Sequence, residues 1–342
     1  MTGQFSVLYA DDVSQRKMWM DMWSAWPGRE VMAHPTYVDL FAKGRDRSAC
    51  AVWTGSRAPV MFDGASYKDL ITPYGYGGAF TCGERVTNGD SFWDAFDDWC
   101  AGENIVSVFA RLSLFEEFLL LFRGETPVAS HNVVRTLELD EESMWGSYNR
   151  KVRKNVVRAR ESGLTVARED SGARLDEFFD IYNQTMTRSG AAERYLFPLS
   201  FFETIATDLQ GSYQFFYALL GEQAVSAELV LTSADHIYSF LGGTLADYFP
   251  HRPNDLLKHE IIRWGSQAGK QAFVMGGGQG GDDGIYRYKL AFAPEGSREF
   301  RTGCRIMDEA AVAKLVAARQ SFEQGRGVEW NATPGFFPPY RA

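Results

Sequence analysis

The chain has 342 residues, a length that suggests two domains of ordinary size. Apolar residues make up 45% of the chain and charged residues 23%, a composition that excludes disordered and fibrous proteins. The formal net charge of −9 at pH 7 excludes a protein that coats nucleic acid with a wholly basic surface, although it leaves room for a local basic patch.

The cysteines, the histidines and the amino terminus bear on the cellular compartment and on metal binding. The four cysteines are too far apart for a CxxC motif, which favours reduced thiols at Cys50, Cys82, Cys100 and Cys304. The five histidines form no metal-binding pattern, so we expect no metal. The first residues carry acids where a signal peptide is apolar, and the longest apolar run, 112–122, is about half a membrane span. We therefore expect a soluble, cytoplasmic protein.

Hydrophobic periodicity predicts strands and helices in irregular alternation. Strand patterns cover residues 5–10, 49–54, 58–63, 105–110, 132–139, 164–168, 213–220, 224–232, 236–243 and 271–275. Helical patterns cover residues 14–26, 91–100, 113–122, 175–189, 198–209, 255–268 and 310–322. In both halves several adjacent strands precede a helix that returns to a strand, an order that indicates an α/β protein with mixed sheets rather than a doubly wound sheet.

A basic segment lies between the halves, at residues 145–163, and we expect it to form one helix. One face of this helix would dock on the protein through Trp145, Tyr148, Val152, Val156 and Ala159. The other face carries the cations Arg150, Lys151, Arg153, Lys154, Arg158 and Arg160. Such a face is either simply solvated or binds an anion. Phosphate groups would offset the repulsion between like charges, because no acid is interleaved before Glu161.

A glycine-rich segment, 273–294, follows an apolar strand and contains Lys289. It matches neither a P-loop nor a dinucleotide fingerprint. Lys289 lies among Tyr286, Tyr288 and Phe292, so we expect part of its side chain to be buried. A partly desolvated ammonium can neutralise a carboxylate or a developing oxyanion. The alternative is a lysine that extends from an aromatic cluster to water.

A third segment, 69–80, contains Tyr74 and Tyr76 among three glycines and a proline. It could form a shaped loop whose rings line a pocket. The residues alone favour an ordinary turn packed by its own aromatic side chains.

Taken together, these segments resemble the FemA/FemB/FemX family of non-ribosomal aminoacyltransferases, over most of the chain. The motifs that carry the resemblance are T-P-Y-G-Y-G-G (72–78), R-K-V-R-K-N-V-V-R-A-R-E-S-G-L (150–164), S-F-L-G-G-T (239–244), P-N-D-L-L-K-H-E-I-I-R-W-G (253–265) and D-G-I-Y-R-Y-K-L-A-F (283–292). The resemblance implies an α/β fold of two tandem GNAT-like domains, with mixed central sheets flanked by helices. We place the first domain at 1–144, with 305–342 folding back onto it, and the second at 145–304.

The resemblance also implies an activity. Family members transfer an amino acid from aminoacyl-tRNA to an amine, usually on a peptidoglycan precursor, and some relatives modify a peptide or nucleoside antibiotic. No cofactor is needed besides aminoacyl-tRNA as co-substrate. Because this chain has no room for the coiled-coil arm that cell-wall members often carry, the antibiotic role gains weight. The acidic net charge restricts tRNA contact to the acceptor end.

The site residues follow from the resemblance and from the segments above. The catalytic candidates are Lys289, which matches the family's aromatic-Lys pair and would stabilise the oxyanion, and Tyr288, which would shape the site. The candidates for binding tRNA phosphates are Arg150, Lys151, Arg153, Lys154 and Arg158. The candidates for binding the other substrate are Tyr74, Tyr76, Asp69 and Glu228, of which the two carboxylates could also take the amine proton.

Two alternatives stay open. An acyl-CoA-dependent GNAT N-acyltransferase would bind pyrophosphate at a helix N-terminus through a glycine-rich turn. The equivalent turn here, 248–255, has no glycine, and Asp255 would add negative charge, although His251 and Arg252 could partly compensate. The second alternative is a twinned GNAT-like module that binds a peptide or nucleotide without chemistry.

Overall fold

The computed structural model describes residues 5–42, 46–53, 56–63, 67–81, 89–117, 119–138, 140–278 and 283–342. The chain divides into two compact units. Unit 1 comprises Met1–Ala129 and Phe300–Ala342, and unit 2 comprises Ser130–Glu299. The boundaries expected from the sequence, after residues 144 and 304, lie later in the chain than these.

Unit 1 is a mixed sheet with helices packed against it. Its strands are β1 (Phe5–Tyr9), β2 (Asp46–Trp53), β3 (Ser56–Asp63), β4 (Lys68–Ile71), β5 (Phe80–Thr81), β6 (Ile105–Arg111) and most of β13 (Ser297–Ile306). Its helices are α1 (Val13–Ala25), α2 (Pro35–Asp39), α3 (Asp90–Gly102) and α10 (Glu309–Gly325). The strand order is β1-β2-β3-β4-β6-β13, in which β4 and β6 are parallel and β5 pairs with β3 off this path.

Unit 2 has the same kind of mixed sheet. Its strands are β7 (Val128–Thr136, which begins just before the boundary), β8 (Leu164–Glu169), β9 (Tyr213–Leu220), β10 (Gln223–Thr232), β11 (His236–Thr244) and β12 (Ala272–Gly276). Its helices are α4 (Glu141–Ser147), α5 (Arg150–Glu161), α6 (Leu175–Ser189), α7 (Leu199–Asp208), α8 (Pro253–Gln267) and α9 (Gly284–Leu290). The strand order is β7-β12-β11-β10-β9-β8, with β11 and β12 parallel. The predicted α/β class with mixed sheets is therefore confirmed.

Alternation along the strands sends neighbouring side chains of unit 2 to opposite faces of its sheet. On β9, Phe216 packs against Trp264 of α8, with ring centroids 5.4 Å apart. The preceding residue, Phe215, packs against Phe178 of α6 at 4.9 Å on the other face. Glu228 pairs with Phe216 in the β9–β10 register, so it faces α8. The sheet thus directs one buried carboxylate toward that helix.

The helix predicted over residues 113–122 is wrong. In the described part of this segment, backbone N–H groups form hydrogen bonds with another part of the chain instead of with helical partners. Ser113 N donates to the Gly77 carbonyl and Leu120 N to the Ala79 carbonyl, each at 2.8 Å. Trp93 of α3 donates its indole N–H to the Leu121 carbonyl at 2.9 Å. Leu120 and Phe122 are buried through tertiary contacts, and these contacts override the helical periodicity of the sequence.

The basic segment is not one helix either. α4 ends at Ser147 and α5 begins at Arg150, because the two residues between them, Tyr148 and Asn149, have non-helical backbone angles. The Asn149 side chain accepts a hydrogen bond from Lys151 N at 2.9 Å, so Asn149 is an N-cap that starts a new helix. The prediction that Tyr148, Val152, Val156 and Ala159 face inward is confirmed, because all four are buried.

Three thiols are free: Cys50 and Cys100, which are buried, and Cys304, which is half-buried. Cys82 lies outside the described residues. Among the described helices, none combines the length and the apolar character needed to pass through a bilayer.

Gly243 on β11 tests how closely the sheet and α6 pack. A Cβ at this position would collide with Thr185 and would stand 2.8 Å from the Ile181 carbonyl oxygen. We expect Gly243→Ala to lower the free energy of unfolding in urea by about 1–3 kcal/mol.

Gly146 in α4 provides the matched control, because a Cβ there meets no atom within 4 Å. Gly146→Ala should leave stability unchanged or raise it by up to about 1 kcal/mol. Equal effects of the two substitutions would contradict the close packing described for Gly243.

Candidate active site

A cluster of polar side chains lies in unit 2 beside the parallel strands β11 and β12. These strands pair over His236–Tyr238 and Ala272–Val274, and β11 then continues to Thr244 alongside β10. The cluster draws its members from four elements: Glu228 from β10, Ser239 from β11, Lys258 from α8, and Tyr288 and Lys289 from α9.

The main-chain carbonyl of Gly277 fixes the Lys289 ammonium. Lys289 Nζ donates a hydrogen bond to Gly277 O, just after β12, at 2.6 Å. Gly276 has φ of 78°, and a Cβ there would lie 3.4 Å from the ammonium. The Asp283 side chain caps α9 by accepting a hydrogen bond from Tyr286 N at 2.8 Å. This cap fixes where the helix begins, and it thereby fixes the position of Lys289 along the helix.

The surroundings of Lys289 lower the pKa of its ammonium group. Burial, the largest cause, and the nearby charge of Lys258 together lower the pKa of the ammonium from 10.5 to about 8, against the opposing effect of the carboxylates of Glu228 and Asp283. At pH 7 the group is therefore mainly an ammonium ion, but one with little water to stabilise its charge. Such a cation interacts strongly with a negative charge that forms next to it.

A buried ion pair lies close to this lysine. Lys258 Nζ donates to Glu228 Oε1 at 2.5 Å and to Ser239 Oγ at 2.8 Å, and it stands 5.3 Å from the centre of the Phe273 ring. The two charged side chains are only 6% and 5% exposed. The pair therefore fixes a carboxylate in the interior with a definite orientation.

Tyr288 keeps its phenol proton. Burial raises the pKa of its hydroxyl well above 10, and the negative charges of Asp255 and Glu228 raise it further. The side chain can therefore shape the site and donate a hydrogen bond, but it does not act as a base near neutral pH.

The N-terminus of α8 differs from a phosphate-binding turn. Arg252 adopts a left-handed conformation (φ 61°) before the helix, and Asp255 is buried in its first turn. Burial raises the pKa of the Asp255 carboxyl, although the hydrogen bond from Asn155 Nδ2 at 3.0 Å and the charges of Arg252 and Lys151 act in the other direction. An acidic group thus occupies the place where pyrophosphate would bind.

The basic helix α5 lies next to both α8 and α9. Asn155 reaches Asp255 on α8, and Asn149 N donates to the Ala291 carbonyl at the end of α9 at 2.8 Å. Four of its cations are exposed and form no ion pair within the described residues: Arg150, Lys151, Lys154 and Arg158. The basic surface therefore belongs to the same part of unit 2 as Lys289.

The remaining basic side chains of α5 are engaged. Arg153 donates hydrogen bonds to the Gly146 carbonyl at 2.8 Å and to the Tyr148 carbonyl. Both carbonyls lie at the break between α4 and α5, where the helical hydrogen-bond pattern is interrupted. Arg160 forms an ion pair with Glu260 on α8 at 2.8 Å. These two arginines stabilise unit 2 itself, so they are less available for an external anion.

Three sequence-predicted residues lie in unit 1. Asp69 accepts hydrogen bonds from Ser107 at 2.7 Å and from Tyr340, and it pairs with Arg341 at 2.6 Å. It also borders a cavity of about 550 Å³ beneath residues 335–341. The roles predicted for Asp69 as a substrate-binding residue or base stay predictions.

Tyr74 and Tyr76 occupy different environments in unit 1. The Tyr74 side chain is exposed, and its carbonyl accepts a hydrogen bond from the buried Tyr37 hydroxyl at 2.7 Å. Tyr76 stands edge-on to Phe300 at 5.5 Å, and burial raises the pKa of its hydroxyl. Their proposed contact with an acceptor stays a prediction.

Sequence reasoning missed Lys258 and Ser239. Lys258 lies on the buried face of α8, beside Leu257 and Ile261. A lysine within the apolar face of an amphipathic helix is the signal that could have found it. Ser239 had no comparable signal. Among the described residues, no group of three or more His, Cys, Asp or Glu side chains could hold a metal ion.

Comparison with known proteins places this site within a recognised domain. Residues 146–290 match the family described as "Acetyltransferase (GNAT) domain". The chain is 23% identical over 173 residues to UDP-N-acetylmuramoylpentapeptide-lysine N(6)-alanyltransferase from Weissella viridescens, covering 49% of this chain. The match covers 50% of that enzyme, so it spans about half the length of this curated relative.

Two solved structures share the fold over nearly the whole chain. The crystal structure of FemX superposes with a TM-score of 0.64 at 12% identity, covering 88% of this chain and 98% of that one. A conserved protein of unknown function from Bacteroides thetaiotaomicron superposes with a TM-score of 0.60 at 10% identity, covering 87% and 99%. These likenesses show that the chain has the same fold as these two proteins.

Proposed function

We propose that this chain is a FemXAB-like aminoacyltransferase of the GNAT superfamily and that it forms an amide bond. The acceptor is an amine on a peptide-type molecule, either a peptidoglycan precursor or an intermediate of a peptide or nucleoside antibiotic. The observation that carries this proposal is the Lys289 ammonium, which is held by the Gly277 carbonyl next to a buried carboxylate within the GNAT domain. The named activity of the Weissella relative supports the same reaction class.

The reaction needs orientation and charge stabilisation more than covalent catalysis. The acceptor amine attacks the ester carbonyl of an aminoacyl-tRNA, and a tetrahedral oxyanion forms before the ribose oxygen leaves. Lys289 would stabilise this oxyanion, because an ammonium with little surrounding water interacts strongly with a new negative charge. Tyr288 would hold the substrate in place from the same helix.

Aminoacyl-tRNA is the donor that the electrostatics of unit 2 favour. The four exposed cations of α5 offer a short row of positive charge to phosphates, in a protein whose net charge is −9. In the first turn of α8, the buried Asp255 takes a position from which a GNAT enzyme would bind the pyrophosphate of CoA. A row of this length suits the acceptor end of a tRNA rather than its whole body.

Lys289→Met tests the catalytic assignment. It removes the charge and keeps most of the side-chain volume, so transfer should fall at least about 100-fold while the thermal midpoint changes little. Transfer is followed with alanyl-tRNA and, in parallel, with acetyl-CoA as donor, using the lysine-containing UDP-N-acetylmuramoylpentapeptide as acceptor. Arg287→Met, on the exposed side of the same helix, is the matched control and should keep the wild-type rate.

Two outcomes of this experiment would contradict the proposal. Near-normal transfer by Lys289→Met would remove this residue from the mechanism. Efficient transfer from acetyl-CoA, with none from alanyl-tRNA or other aminoacyl-tRNAs, would replace the proposed donor by an acyl-CoA.

The α5 surface is tested by Lys151, Lys154 and Arg158 changed together to Gln. Because Arg153 bonds to main-chain carbonyls, it is left intact. The triple variant should bind tRNA more weakly, and the slope of log affinity against log salt should fall in magnitude by about 2 to 3. Filter binding at several salt concentrations measures both quantities.

A control triple removes the same charge elsewhere, by changing the exposed Lys17, Lys314 and Arg298 to Gln. It should leave the salt slope unaltered. If both triple variants bind tRNA as the wild-type protein does, α5 is only a solvated surface.

A further inference from the structure

The sequence names Glu228 as one of two candidate bases, but the reaction as proposed above gives no role to the buried ion pair that it forms with Lys258. Replacing such a pair by apolar residues of similar size is often neutral or stabilising, so stability alone does not account for it. Its place in the fold suggests another role, since it lies on the α8 face of the sheet, close enough to Lys289 for its charges to alter that residue's pKa.

The two oxygens of Glu228 are in different situations. Oε1 accepts the hydrogen bond from Lys258 at 2.5 Å, and Ser239 anchors the same ammonium at 2.8 Å. Within the part of the chain that the structure describes, no group donates to Oε2. One oxygen therefore holds the carboxylate in a fixed orientation, and the other is available as an acceptor.

We propose that Oε2 of Glu228 binds the acceptor's attacking nitrogen as a primary aliphatic ammonium and removes its proton. This inference rests on the proposed function and adds to it the catalytic base and the chemical class of the acceptor. Lys258 is a positioning residue, because it holds Oε1 and does not touch the reacting atoms. A neutral amide or an aromatic amine would not supply the positive charge that a fixed, desolvated carboxylate favours.

The neighbouring cations make proton removal easier. With Lys258 and Lys289 nearby, a third ammonium is destabilised by like charge, as the effect of Lys258 on Lys289 already shows. Glu228 attracts the ammonium into the site, and the two lysines favour its conversion to the free amine.

The proton balance of the reaction is complete with this residue. Glu228 takes one proton from the ammonium and releases it to water. The free amine then forms the N–C bond, and its second proton passes through Glu228 to the ribose oxygen as the C–O bond breaks. The products are an amide, a tRNA with a free terminal hydroxyl, and one proton.

Glu228→Gln is the decisive variant, since the amide keeps an oxygen that can accept from Lys258 but cannot take a proton. We expect kcat to fall about 100-fold or more, with unchanged tRNA binding. The control is Glu260→Gln, which removes another ion-paired carboxylate of unit 2 and should keep the wild-type kcat.

A binding measurement separates this inference from the proposed function. n-Butylammonium, titrated into the full chain and followed by NMR, should bind the wild-type protein at least tenfold more tightly than n-butanol does, and Glu228→Gln should abolish this preference. If the preference is found but no aminoacyl-tRNA supports transfer, the proposed function fails and the amine site stands. Absence of the preference in the wild-type protein, or a wild-type kcat in Glu228→Gln, would overturn the inference.

Glu228→Asp covers the case in which the Gln variant does not fold. It keeps the charge and withdraws the carboxylate by one methylene group, so it should retain the preference for n-butylammonium while losing most of kcat. Full retention of kcat, or loss of the preference, would count against direct contact between Glu228 and the amine.

Discussion

The hydrogen bond from Lys289 to the Gly277 carbonyl is the contact on which the account of the site depends. A single main-chain oxygen holds an ammonium that burial has largely separated from water, and the carboxylates of Glu228 and Asp283 only partly compensate the charge. This cation is costly to keep in the folded protein, and a newly formed oxyanion would relieve that cost. The loss of hydration that destabilises the ammonium in the free enzyme strengthens its interaction with the oxyanion in the transition state.

The local structure around Lys289 follows from ordinary rules applied in sequence. β12 ends at Gly276, where a positive φ turns the chain. Because this residue is glycine, no Cβ lies beside the Lys289 ammonium. Asp283 then caps α9, and Lys289 lies in the last turn of this short helix. α5 begins beside the end of α9 because Asn149 bonds to Ala291 there. The basic surface and the lysine are neighbours for this reason.

Much of the fold could be predicted from the sequence, because the strands and helices of unit 2 show clear hydrophobic periodicity. The inward face of α5 and the burial of part of Lys289 were both visible in the pattern of apolar residues. The break at Tyr148 was not, since it depends on an asparagine cap and on Arg153 bonding to the freed carbonyls. The pairing of Lys258 with Glu228 joins residues 30 positions apart, and no local pattern encodes it.

The state of the Lys289 ammonium is the most direct test of this account, and it can be measured in the wild-type chain by NMR titration of ¹³C-labelled lysine side chains. We expect one lysine, absent from Lys289→Met, to titrate with a pKa of about 8, so that it loses its proton as the pH rises well before ordinary lysines at 10.5. A titration in which every lysine loses its proton near 10.5 would contradict the claim, because Lys289 would then be an ordinary solvated cation.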